Sequence, residues 1–101
     1  MKLALPFVKR VAQSGKACLV WIPKDVSDFL SVQPNLLLEF KIVKITPDGS
    51  RSQQLVFSKK PSSSKQGYLV WVPKNIADFL SIKKGNFVEM IVSKIEAEKN
   101  E

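Results

Sequence analysis

Leu19 to Val32 reads Leu-Val-Trp-Ile-Pro-Lys-Asp-Val-Ser-Asp-Phe-Leu-Ser-Val, and Leu69 to Ile82 reads Leu-Val-Trp-Val-Pro-Lys-Asn-Ile-Ala-Asp-Phe-Leu-Ser-Ile. Nine of these fourteen positions are identical, and the other five exchange residues of similar size. A fifty-residue offset within a 101-residue chain is a tandem duplication, so any fold must accommodate the same unit twice. Fifty-odd residues rarely stabilise a core alone without disulfides or metal, so the two copies are expected to share one.

Each copy punctuates alike. Leu5 to Val11 is β-leaning, with Pro6 acceptable only near a strand start or on an edge. Ala12 to Lys16 is small, polar and glycine-bearing, and reads as a flexible turn. Ala17 to Ile22 is a short apolar run stopped by Pro23, hence a strand, with apolar residues on both of its faces. Val26, Phe29 and Leu30 then share one face of a helix of about two turns, ended by Pro34-Asn35. Leu36 to Ile45 follows as a longer strand, with Glu39, Lys41 and Val43 facing outward.

Thr46-Pro47-Asp48-Gly49-Ser50 is a turn and divides the repeats. Beyond it the pattern recurs: Gln54 to Lys60, the polar loop Pro61 to Gly67, Tyr68 to Val72, a helix with Asn75 at its cap and a stop at Lys83 to Asn86, then Phe87 to Ile95. The resulting division is repeat one at 4–45, a turn region at 46–53, repeat two at 54–95 and a charged tail at 96–101, expected to fray. Two strand–strand–helix–strand units predict a mostly β, six-stranded closed barrel with two short helices, which would bury strand faces and leave no open edge.

The formal charge is +7, and without the acidic tail residues 1–95 carry +9. A basic body of this size favours a polyanion, nucleic acid first. The chain has no histidine and one cysteine, Cys18, read as a buried, inert thiol. These absences argue against an enzyme, a structural metal or a cofactor, and a lone cysteine fits a cytoplasmic location. No apolar run is long enough to span a bilayer, the N-terminus lacks the apolar core of a signal peptide, and no membrane partner is expected. Trp21 and Trp71 are read as packing residues rather than base-stacking ones. Asp28 and Asp78 are expected to pair on the surface with Lys24 and Lys74.

The segment Val72-Pro73-Lys74-Asn75-Ile76-Ala77-Asp78-Phe79-Leu80-Ser81-Ile82-Lys83-Lys84-Gly85-Asn86-Phe87-Val88-Glu89 resembles the signature of the AbrB/MazE/SpoVT swapped-hairpin family. Phe7 to Ile45 resembles the same unit, with Gln33-Pro34-Asn35 in place of Lys-Lys-Gly. The resemblance implies a single-chain pseudo-dimer of interleaved hairpins, as a monomer or a homodimer. Double-psi and RIFT barrels share the repeat pattern and stand as alternatives. It also implies double-stranded DNA binding by a transcriptional regulator or chromosome-associated protein, nucleoid-associated if so. By position, the family's DNA-contacting residues on the first strand and following loop fall on Lys9, Arg10, Lys16, Lys59, Lys60 and Lys65. The helix departs from the family, with Ser27-Asp28 and Ala77-Asp78 where arginines often stand. The alternative is an antitoxin-like or adaptor module whose partner is another protein, with no nucleic-acid binding.

Overall fold

In the computed structural model, residues 4–95 are described, and the expected fraying of the tail lies outside them. Each repeat supplies four strands and one helix. Repeat one comprises β1 (Ala4–Arg10), β2 (Ala12–Ser14), β3 (Ala17–Trp21), α1 (Lys24–Leu30) and β4 (Leu38–Ile45). Repeat two comprises β5 (Leu55–Lys59), β6 (Ser62–Ser64), β7 (Gly67–Trp71), α2 (Lys74–Leu80) and β8 (Phe87–Lys94).

The closed six-stranded barrel expected above is not what forms, and neither is a double-psi or RIFT barrel. The eight strands make two separate four-stranded antiparallel sheets, ordered β1-β8-β4-β5 and β2-β3-β7-β6. The extra strands come from the segments read as flexible loops. Ala12 to Ser14 pairs with Ala17 to Leu19 around the two-residue turn Gly15-Lys16, and Ser62 to Ser64 pairs with Gly67 to Leu69 around Lys65-Gln66. Gly15 takes φ +61°, the left-handed conformation that lets a two-residue hairpin follow the strand twist. The chain passes from one sheet to the other at buried Val11, whose N–H donates to the Asn86 carbonyl at 2.7 Å and whose carbonyl accepts from Gly85 N at 2.9 Å. Its counterpart Pro61, also buried, has no N–H to continue a ladder. Edges are blunted rather than closed, by three-residue β2 and β6 and by Pro6 in β1.

The repeats interleave. β1 of repeat one pairs with β8 of repeat two, and β5 of repeat two pairs with β4 of repeat one. Lys41 lies opposite Ile91 and Val20 opposite Val70, each pair separated by the repeat offset, so a pseudo-twofold axis passes through the middle of both sheets. Alternation sends Phe40, Ile42, Val88, Met90 and Val92 into one core shared with Val20 and Val70 and with Val26, Leu30, Ile76 and Leu80 of the helices. Leu19 pairs with Trp71 and Leu69 with Trp21 on the other face of the β3–β7 ladder. Both tryptophans are half-buried and lie outside the shared core, flanking the leucines rather than filling the interior.

The helices end earlier than Pro34 and Gly85 would dictate. Ser31 and Ser81 take left-handed φ values of 52° and 55°, and their N–H groups turn back to the last carbonyls, the stop that glycine more often provides. Pro73, not Asn75, occupies the cap position of α2, with no side-chain cap; Asn75 lies within the first turn. Lys44 Nζ donates to the Ser81 carbonyl at 2.8 Å, placing a cation at the negative end of α2.

Candidate nucleic-acid interface

Period-two alternation divides the six basic residues chosen from the sequence. On β1, Lys9 is half-buried and follows Leu5 and Phe7 towards the inner side, whereas Arg10 follows Val8 to the outer face. There the Arg10 guanidinium lies over the Phe87 ring, 5.1 Å from its centroid. Lys59 is half-buried opposite Leu38, and Lys60 is exposed just beyond the end of β5. Lys16 and Lys65 occupy the two hairpin turns and are exposed. Lys9, Lys16, Lys59 and Lys65 therefore lie off the outer face of the β1-β8-β4-β5 sheet, and Arg10 and Lys60 lie on it or at its rim.

Interleaving groups these four across the repeats in two pairs, Lys16 with Lys59 and Lys9 with Lys65. Lys16, on the hairpin of repeat one, lines a cleft of about 580 Å³ with Lys59, Pro73, Lys74 and Asp78 of repeat two. The equivalent region on the other side joins the hairpin of repeat two to α1 of repeat one. It is divided into a part of about 270 Å³, lined by Lys24, Asp28, Lys65 and Tyr68, and one of about 290 Å³, lined by Lys9, Trp21, Pro23 and Lys24. Each side thus carries three lysines and one aspartate. The aspartates are engaged: Lys24 Nζ stands 3.0 Å from Asp28 Oδ2 and Lys74 Nζ 3.0 Å from Asp78 Oδ2, the surface pairs that the spacing predicts.

Lys24 and Lys74 were legible only as partners of those aspartates, yet they line the clefts. The signal was the recurrence of proline-lysine directly after a strand, which fixes a lysine at the strand-to-helix corner. Cys18 is not the buried thiol expected. It is half-buried in the larger cleft, with Sγ 3.8 Å from the Ile82 carbonyl. Within the described residues, no helix is long and apolar enough to cross a membrane.

No family model matches the chain, and no curated protein matches it. Among solved structures it is similar to the solution structure of PHS018 from Pyrococcus horikoshii, with a TM-score of 0.69 and 23% identity over 94% of this chain and 95% of that one. At that identity the likeness concerns the fold.

Proposed function

We propose that this chain is a tandem relative of the AbrB/MazE/SpoVT proteins that binds duplex DNA, as a transcriptional regulator or chromosome-associated protein. What supports this is the pair of pseudo-twofold lysine groups, Lys16, Lys59 and Lys74 on one side and Lys9, Lys24 and Lys65 on the other. A duplex is itself twofold in its backbone, and two like clusters on one body can engage two phosphate runs. Each group carries three cations against one ion-paired carboxylate, so each remains positive. Lysines position a duplex more than they read it, so the preference for sequence is weak. Arg10, best suited to fork onto guanine, lies over Phe87 away from the clefts and adds little to specificity.

Fluorescence anisotropy with a random duplex tests this. If six charges engage, log K falls against log salt with a slope of about −5. Lys16→Ala/Lys59→Ala and Lys9→Ala/Lys65→Ala should each reduce that slope by about 2. No binding at about 50 mM salt would sink the proposal, since phosphate contacts are strongest there. A response to only one of the pairs would break the two-cleft arrangement. One observation favours a protein-interaction module instead: Phe29 and Phe79 stand 58% and 65% exposed at equivalent helix positions.

A further inference from the structure

Edge strands of natural sheets are guarded, because an unpaired strand invites another chain. The two edges of the β1-β8-β4-β5 sheet are repeat equivalents, and they are guarded differently. In an antiparallel ladder, successive residues turn their N–H and C=O groups to opposite sides. Val11 exchanges hydrogen bonds with Gly85 and Asn86, so Leu5, Phe7 and Lys9 bond to β8 while Pro6, Val8 and Arg10 face away from it. The Lys44 carbonyl accepts from Ser52 N at 2.9 Å, which sets Lys44, and with it Ile42, Phe40 and Leu38, on the β5 side of β4. Their partners are Leu55, Phe57 and Lys59, so Val56 and Ser58 turn their backbone groups away from the sheet. Pro6, fifty residues before Val56, stands at the same outward-facing position and has no N–H to offer. One edge lacks the donor that an added strand needs; its twin keeps it.

The open edge borders a groove. A cavity of about 410 Å³ opens between β5 and α2, lined by Leu55, Val56, Asn75, Ile76 and Phe79. Val56 is 52% exposed and Phe79 65%, although both are large apolar residues. A strand laid along β5 would turn alternate side chains to the Leu55 side, over Ile76 and Phe79. We propose that this groove takes an extended, acidic peptide segment of a partner protein, added as a further strand to β5.

Charge selects that occupant over a second copy. The segment 51–60 holds three bases and no acid, and of the three only Arg51 is ion-paired among the described residues, with Glu89. Lys59 and Lys60 follow directly after the open positions of the edge. A second β5 laid here would bring the same lysines and no carboxylate, and lysine on an edge is a device against such self-pairing. It does not repel an acidic strand. A peptide with apolar residues for the groove and carboxylates beyond them meets backbone partners, an apolar floor and two unpaired cations. A duplex offers neither a strand to pair nor an apolar side chain for the groove.

Fluorescence anisotropy of the full chain with a labelled peptide, Thr-Val-Thr-Leu-Thr-Val-Glu-Glu, tests this. Binding should saturate below about 200 μM and weaken at least about tenfold when Lys-Lys replaces Glu-Glu. Amide exchange at Val56 and Ser58 should slow in the complex, whereas Leu55 and Phe57, already bonded to β4, should change little. Val56→Pro, which copies Pro6, should lose binding at least about tenfold with unchanged circular dichroism, and Phe79→Ser should weaken it several-fold. Should Val56→Pro fail to fold, the wild type with two alternately N-methylated peptides carries the same test: the set methylated towards β5 should not bind, and the other should. Absence of saturable binding overturns the proposal, as do indifference to a folded Val56→Pro and two methylated sets that behave alike. Protection of Val56 and Ser58 that appears in the chain alone as concentration rises gives the edge to a second copy, and protection by duplex gives it to DNA; either overturns it equally. Neither Val56 nor Phe79 lines a lysine cleft, so these results are independent of duplex binding.

Discussion

The two clefts are made from equivalent positions on one backbone, yet one is a single opening of about 580 Å³ and the other is split into parts of about 270 and 290 Å³. The substitution that accounts for this is Cys18 in the larger cleft against Tyr68, fifty residues on, in the divided one. A phenol ring occupies space that a thiol leaves open. The turns differ too: Gly15-Lys16 places its lysine second, while Lys65-Gln66 places it first. In the core the exchanges are milder, with Phe40 against Met90 and Ile42 against Val92. Duplication has preserved volume where side chains are enclosed and released it where they border water.

The enclosed pair provides the largest expected effect. Phe40 stacks on Phe57 at 5.3 Å between centroids, whereas Met90 lies across from Phe7. Phe40→Ala should cost about 4 kcal/mol and Met90→Ala about 3 kcal/mol in urea denaturation. Equal losses would mean that the aromatic pair adds nothing beyond burial. The cleft pair gives a smaller, local effect. In Tyr68→Cys, the new thiol should react with an aromatic disulfide reagent at a rate within a few-fold of Cys18, with little loss of stability. A new thiol that stays unreactive would show that Tyr68 does not divide the cleft.

Smallest is the turn between the repeats. Asp48 accepts from Ser50 N at 3.0 Å and from the Thr46 hydroxyl. The Thr46 hydrogen bond, then those from Ser50, hold its carboxyl below the ordinary 3.8. Because the folded value is the lower one, its contribution is full above the unfolded value and disappears as pH falls through the folded one. Asp48→Asn should therefore leave a slight deficit at pH 7 that vanishes as pH falls through the lowered folded-state value, read as converging melting curves in acid. A deficit that persists there would assign the effect to geometry rather than charge.

Much of the fold was legible because the repeat punctuates itself. Pro23 and Pro73 mark strand ends, and the apolar spacing of Val26, Phe29 and Leu30 marks a helix, although Phe29 then faces water. The hairpins β2–β3 and β6–β7 were hidden because Gln13-Ser14 and Ser62-Ser63-Ser64 carry none of the β-branched residues that announce a strand; their ladder partners impose the conformation. The two-sheet arrangement was hidden for a related reason. Whether a ladder closes depends on edges, and composition does not show which strand is left unpaired. Among the candidate site residues, the types were readable but not their grouping. Lys9 and Arg10 are neighbours in sequence and point to opposite sides of a sheet, while Lys16 and Lys59 are distant in sequence and share a cleft.

The pairing of β1 with β8 carries a consequence for how the chain is made. Ala4 meets Ser93 and Arg10 meets Phe87, so a strand that leaves the ribosome early has no ladder partner until β8 has followed nearly eighty residues later. Its helix and hairpin can form locally in the meantime, but the shared core cannot. Contacts of such sequence separation slow the search for the native state, since loop closure precedes any gain from pairing. Folding is therefore expected to be all-or-none, with no stable core before β8 is available. A chain interrupted before Phe87 would leave both β1 and β4 without the neighbour that joins them.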